Sequence, residues 1–329
     1  MKLVVVIPAL NEATTLPQTI ADLPDGVAGF DELELVLVDD GSSDETSRIA
    51  FAGGAERVVR FPQNRGLAEA FGAGIDAALR AGADVIVTCD ADNQYVAADI
   101  PRLVQPIVSR RADIVVGERH GAGIAEFSRW KRWLQRLGSA VVRRASRTDV
   151  PDATSGFRAY SREAALRVNV LGRFSYTLES LIQAGRSGLA VASVPVETNP
   201  RTRSSRLFSS TTEYLVRSGG QLVRAYATYE PLRTFLYLAG VALLGALAIF
   251  GRFLYYYETG HGRGHIQSLI LGAILAIGAF QVIVIGILGD LLAANRRLLE
   301  RVLVRVRRLE LALEDESSHE LELTAPEDR

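Results

Sequence analysis

The chain has almost no sulfur and little imidazole: one cysteine (Cys89), one methionine and four histidines in 329 residues. A single cysteine excludes an internal disulfide framework and any cysteine-rich zinc site. His120, His261, His265 and His319 are too scattered for a metal cluster, so a bound metal must use oxygen ligands. Charge of one sign is lacking too. The 37 Lys+Arg and 38 Asp+Glu leave a formal net charge of −1, which excludes a bulk-basic nucleic-acid binder, and 48% hydrophobic residues exclude intrinsic disorder. No Walker A sequence occurs, and Gly-x-Gly appears only as Gly72-Ala73-Gly74 within a helical pattern and as short loop pieces, so P-loop and dinucleotide readings fail. Leu3 to Ile7 is too short for the apolar core of a secretory signal and reads as a first buried strand.

The mean hydropathy of +0.14 is high for a chain with 23% charged residues, and the surplus sits in the last third. Thr234 to Gly251 carries no charge and approaches the roughly 20 residues of a bilayer span. Phe253, Tyr255, Tyr256 and Tyr257 follow, as an interfacial belt does. A second charge-free run extends from Ile266 to Gly289. Together they read as a transmembrane hairpin at 233–294, after a juxtamembrane linker at 209–232. Arg201, Arg203, Arg206, Arg217, Arg224 and Arg233 precede the first run. Arg296, Arg297, Arg301, Arg305, Arg307 and Arg308 follow the second, and the connector carries one Arg, so both termini are expected in the cytoplasm of a plasma-membrane protein. Within 295–329, Leu298, Leu299, Val302, Val306, Leu309 and Leu313 recur at helical spacing, with arginines on the other face, ahead of an acidic tail. This helix fits either the chain's own catalytic domain or a partner subunit, as in a homo-oligomer, or anionic lipid.

Over 1–208, apolar β-rich runs alternate with helical patterns. Leu3 to Ile7, Leu33 to Val38, Arg57 to Phe61, Asp84 to Cys89 and Asp113 to Gly117 are strand candidates; Glu12 to Asp22, Ser43 to Phe51, Leu67 to Ala81 and Ala98 to Ser109 are helix candidates. Continuously apolar strands imply a sheet buried on both faces, hence a doubly wound, mostly parallel α/β domain whose ligands sit at the carboxyl ends of the strands. Those ends are polar and acidic: Pro8-Ala9-Leu10-Asn11-Glu12, Asp39-Asp40-Gly41-Ser42-Ser43-Asp44 and Asp90-Ala91-Asp92-Asn93-Gln94. Asp90 and Asp92 stand two apart at a strand end and repel unless a cation or proton lies between them. A hard divalent ion suits them, and such an ion neutralises a diphosphate.

IPALNE, VDDGSSDET, NRGLAEAFGAGIDAA, DADNQ, VVGER, DATSGFRAYSR, YTLES and RTRSSR together resemble the family 2 glycosyltransferases of GT-A fold. Within them the match is to the polyprenyl-phosphate glycosyltransferases that include dolichyl-phosphate mannosyltransferase. By motif the resemblance covers about residues 3 to 208. It implies that Pro8, Ala9, Asn11 and Glu12 border the nucleotide, that Asp39 and Asp40 contact base and ribose, and that Asp90 lies near ribose and sugar. Asp92 and Gln94 are then the Mg²⁺ or Mn²⁺ ligands, while Arg119, Lys131, Arg132 and Arg136 receive a lipid phosphate. Asp152 and Glu179 match acidic positions near acceptor and sugar, and Arg201, Arg203, Ser205 and Arg206 match the loop that meets the diphosphate. The family often has R-x-x-G-x-S-K there, so Arg206 replaces a lysine, and Ala9-Leu10 stands where many relatives have Thr-Tyr.

The implied activity is inverting transfer of a hexose from a UDP- or GDP-sugar to a membrane polyprenyl phosphate. An acceptor phosphate is already ionised near neutral pH, which makes Asp152 an orienting residue rather than an obligatory base. Trp130 and Trp133, set among basic residues, read as membrane-interface anchors. Two alternatives stand beside this reading: a membrane transferase with a hydroxyl acceptor, and a degenerate membrane scaffold.

Overall fold

In the computed structural model, residues 1–119, 148, 150–170, 176–199, 231–260 and 266–324 are described, with side chains as far as residue 314. They fall into two units, Met1–Ser209 with Val302–Arg329, and Ser210–Arg301.

The first unit is built on strand β1, Lys2–Ala9, whose residues from Leu3 to Ile7 are wholly buried. Leu3, Val5 and Ile7 enter one apolar cluster and Val4 and Val6 the other, because side chains alternate across a pleated strand. Each such burial contributes about 1.5–3 kcal/mol. Around β1 the sheet runs β3 (Arg57–Arg60), β2 (Glu32–Asp39), β1, β4 (Val85–Thr88), β6 (Arg158–Ser161), β5 (Ile114–Arg119) and β7 (Val191–Val196). All neighbours are parallel except β6, which is antiparallel to both β4 and β5. Helices α1 (Leu16–Ala21), α2 (Thr46–Ala52) and α4 (Ile100–Val108) cover the first face. Helices α3 (Leu67–Arg80), α5 (Arg162–Arg167) and α6 (Tyr176–Arg186) cover the other. The doubly wound, mostly parallel α/β reading therefore holds, and the five expected strands are β1 to β5. Strands β6 and β7 add to them.

Register decides what meets at the sheet edge. Ala9 is opposite Asp39, and Thr88 is opposite Arg158 because β6 runs backwards. On β5, Arg119 is opposite Val196. The carboxyl ends of β1, β2, β4 and β5 thus share an edge with the start of β6.

The second unit contains α7, Pro231–Glu258, and the first part of α8, Ile266–Thr324. Both helices are long and apolar enough to cross a membrane, and most of their residues are exposed, unlike those of a core helix in a soluble protein. They approach through small residues. Gly272 faces Phe250, Gly286 faces Phe235 and Gly289 faces Pro231, each where a Cβ would come within 3 Å. Gly272 and Ala276, four residues apart, both lie on α8. Asp290 and the arginines from Arg296 onward follow the apolar run without a helix break.

Gly74 on α3 carries the closest packing in the first unit. An added Cβ would lie 2.3 Å from Cγ1 of the buried Val6. Alanine is the better helix former by about 1 kcal/mol, whereas overpacking costs about 1–3 kcal/mol. Gly74→Ala is therefore expected to lower the thermal unfolding midpoint; an increase would contradict the packing argument.

Candidate active site

The turn after β2 is held by the two carboxylates that end it. Asp39 is fully buried; it accepts from the Ser42 amide at 2.7 Å and from the Ser47 hydroxyl, with the Arg60 guanidinium 3.6 Å away. Asp40 accepts from the amides of Arg65 at 2.7 Å and Gly66 at 3.0 Å, fixing the entry to α3. Between turn and entry, Gly41 has φ +77°, and a Cβ there would fall 2.5 Å from the Gln63 carbonyl carbon. Only glycine fits both constraints. The end of β1 is tied to the same turn. Asn11, at φ +54°, donates its amide to Ser42 Oγ and accepts from the Ser43 amide through its side chain, and the Glu12 amide donates to Thr46. Pro8, Ala9, Asn11, Glu12, Asp39 and Asp40 therefore form one rim, with Glu12 nearly buried and accepting from Thr15 at 2.8 Å.

After β4 the chain dips through Asp90 to Gln94. Asp92 accepts from the Gln94 amide at 3.1 Å, and Asn93 adopts φ +54°. Thr19 on α1 holds the Ala91 carbonyl, while Asn199 holds the carbonyls of Asn93 and Gln94. Asp90 is partly buried against Gly156, whose missing Cβ would stand 2.9 Å from both carboxylate oxygens. Burial, then the neighbouring charge of Asp92, push the Asp90 carboxyl up to about 6, with Glu12 adding to the rise and Arg119 and Arg158 opposing it. Two neighbouring carboxylates of one charge fit a hard divalent cation that completes its shell with substrate oxygens. Among the described residues no group of three or more His, Cys, Asp or Glu is placed to hold a metal ion.

Across the edge, Arg119 and Asp152 form a bidentate pair, Nε to Oδ2 at 2.7 Å and Nη2 to Oδ1 at 3.0 Å, with Thr154 as a further acceptor for Arg119. Burial alone raises Asp152, but the hydrogen bonds and charge of Arg119 outweigh it and hold the carboxyl below its usual range. Such a carboxylate is a weak base. Glu179 lies in the first turn of α6, half-buried. Lys131, Arg132, Arg136, Arg201, Arg203, Ser205 and Arg206, like Trp130 and Trp133, lie outside the described residues.

Arg158 was not singled out by sequence reasoning, although its motif was. Fully buried at the start of β6, it donates to the carbonyls of Ala153, Ser155 and Thr177 and to Ser180 Oγ, all between 2.8 and 2.9 Å. It ties the loop that carries Asp152 to α6. Tyr95, which donates or accepts with Ser155 at 3.3 Å and accepts from the Gly156 amide, stacks on Phe157 and closes the same corner. The only sequence signal was an arginine at the start of a short strand.

A model of the family described as Glycosyl transferase family 2 matches residues 4–168. An undecaprenyl-phosphate mannosyltransferase of Micrococcus luteus is 28% identical over 206 residues, 60% of this chain and 83% of the relative. Glycosyltransferase AglJ of Haloferax volcanii is 26% identical over 307 residues, 90% of this chain and 95% of the relative. Glucosyl-3-phosphoglycerate synthase of Mycobacterium tuberculosis, solved with Mn²⁺, UDP and glucosyl-3-phosphoglycerate, aligns with TM-score 0.51 and 26% identity, covering 69% of this chain and 78% of that one. The same enzyme with Mg²⁺ and UDP aligns with TM-score 0.50 at 25% identity and the same coverage.

Two substitutions probe the site's physics. A carboxyl raised in the folded state favours the protonated form, so stability falls as pH rises from about 4 through 6. Asp90→Asn should therefore stabilise the metal-free protein by about 1–3 kcal/mol at pH 8 and by little at pH 4, while losing activity. Denaturation in EDTA at the two pH values checks this; an equal effect at both contradicts it. Arg158→Met leaves several buried acceptors unsatisfied and should cost about 2–4 kcal/mol. A change within experimental error in the same assay contradicts the tie.

Proposed function

The chain belongs to glycosyl transferase family 2, and from that premise we propose that it moves a hexose from a UDP- or GDP-linked donor to a membrane polyprenyl phosphate, with inversion at the anomeric carbon. The observation that carries this reading is the pairing of a crowded carboxylate locus, Asp90 and Asp92, with an oriented guanidinium, Arg119, on one sheet edge of a chain that also holds two exposed apolar helices. Asp92 and Gln94 would hold Mg²⁺ or Mn²⁺, which when bound would neutralise the donor diphosphate. Pro8, Ala9, Asn11, Glu12, Asp39 and Asp40 form the nucleotide rim, with Asp90 and Glu179 beside ribose and sugar and Arg201, Arg203, Ser205 and Arg206 on the diphosphate.

Arg119 receives the acceptor phosphate, with Lys131, Arg132 and Arg136 as further cations. Asp152 and Thr154 engage Nε and Nη2 of Arg119, so the phosphate is met by Nη1, in a charge-assisted hydrogen bond. An ionised phosphate oxygen forms the new bond to the anomeric carbon from the face opposite the donor diphosphate, which leaves with the bonding electron pair. No proton need be removed, and Asp152, held ionised, orients Arg119 instead. The name of the undecaprenyl-phosphate mannosyltransferase relative supports the lipid acceptor. The apolar helices then span the membrane with both termini cytoplasmic, in keeping with the arginine clusters that flank them.

The solved relative's name carries a different acceptor, phosphoglycerate. Substitution of the Asp152 carboxylate tests a phosphate against a hydroxyl acceptor, because only the latter needs a strong base. With a phosphate acceptor, Asp152→Asn should raise the acceptor KM about tenfold and leave kcat within about tenfold; loss of kcat by a thousandfold or more would favour a hydroxyl acceptor. The decisive assay supplies the purified full chain with Mg²⁺ or Mn²⁺, polyprenyl phosphate and a panel of UDP- and GDP-sugars. A lipid-linked sugar identified by mass is expected. No nucleotide release from any donor overturns the reading.

A further inference from the structure

The distal part of α8 docks on the first unit through its polar face. Arg307 donates to the carbonyls of Leu166 at 3.4 Å and Val168 at 3.2 Å and pairs with Asp76 at 3.3 Å. Arg308 pairs with Glu163 and Glu314 with Arg80, and Leu311 packs against the second apolar cluster. With Leu299 at position a of a heptad, the docking residues Arg307, Arg308, Leu311 and Glu314 fall at b, c, f and b. The opposite side, positions a and d, consists of Leu299, Val302, Val306, Leu309 and Leu313, between 42% and 69% exposed. Their spacing of three, four, three and four residues is that of a two-helix seam rather than of a broad single-helix face.

We propose that this seam pairs in parallel with the same segment of a second copy of the chain. Charge selects that occupant. Arg305 and Glu310 are exposed and flank the seam at g and e. In a parallel, in-register pair each Arg305 meets the Glu310 of the other copy, and Leu298 meets Leu303; in an antiparallel pair like positions face each other instead. The helix imposes the direction as well. It runs from Ile266 to Thr324 with neither glycine nor proline after Gly289. In two copies whose apolar runs share a bilayer, one continuous helix gives both distal segments the same chain direction. Two heptads are too short to hold free helices together, so the pairing rests on the membrane reading, which concentrates and aligns the copies.

The test uses the full chain in its membranes on a Cys89→Ala background, with one cysteine at a time from Val306→Cys (a), Leu309→Cys (d) or the exposed position-c control Arg301→Cys. Mild oxidation should give covalent dimer at the first two and several-fold less at the third. On the Leu309→Cys background, Arg305→Glu or Glu310→Arg should each reduce dimer yield several-fold, and the double exchange should restore it. Equal yields at all three positions, no dimer at any, or no recovery in the double exchange overturns the proposal, as does a lone Leu309 position reached by a lipid-soluble quencher. Carbonate washing separates the premise. If the protein is released, the membrane reading fails, and the mass of the released protein decides the seam: a dimer with the same crosslinks retains it, a monomer overturns it. Retained protein without crosslinks fails the seam alone.

Discussion

The first unit depends on a buried guanidinium whose described hydrogen-bond acceptors are all neutral. Arg158 donates to three carbonyls and one hydroxyl drawn from two segments, the loop at 153–155 and helix α6. Burying a charge without an ion pair is costly unless its donors are satisfied. That requirement explains the local geometry: the loop must turn its carbonyls inward, and α6 must present Thr177 and Ser180 to the strand. The same turn brings Gly156 against Asp90 and leaves the Asp152 carboxylate facing Arg119. One satisfied cation in the core therefore sets the relative positions of the two charged groups at the edge.

Those groups are electrostatically opposite in kind. The Asp90 and Asp92 pair is frustrated without a ligand, because burial and like charge raise Asp90. The Arg119 and Asp152 pair is satisfied, because the guanidinium lowers Asp152 against its burial. A site with one unsatisfied acidic pole and one pre-oriented basic pole gains most from a ligand that brings a cation to the first and an anion to the second. Nucleotide-diphosphate sugar with its metal, and a phosphate acceptor, meet that description.

Much of this was legible in the residues. The apolar runs identified β1, β2, β4 and β5, since a strand buried on both faces is largely apolar, whereas β3 is an edge strand flanked by arginines and only half-buried; the acidic strand ends followed from the parallel topology. Strand β6 escaped notice because its four residues include an arginine, whose hydrogen-bond partners lie in segments remote along the chain. The roles of Asp39 and Asp40 were legible only in part. Their place at the edge follows from the pattern, but their duty to backbone amides 3 to 26 residues onward is a property of the folded turn.

The distal helix shows why an amphipathic pattern alone does not name the buried face. Apolar periodicity points to the stripe from Leu298 to Leu313 as the natural contact with a catalytic domain. Yet α5 is six residues long and ends with carbonyls that lack partners within the helix. Arg307 supplies hydrogen bonds to Leu166 and Val168 there, a cation at the negative end of a helix, and Asp76 balances its charge. The docking face is therefore chosen by what α5 and α3 need rather than by hydrophobicity. The apolar stripe remains outward, and its heptad spacing becomes a constraint on assembly rather than on folding.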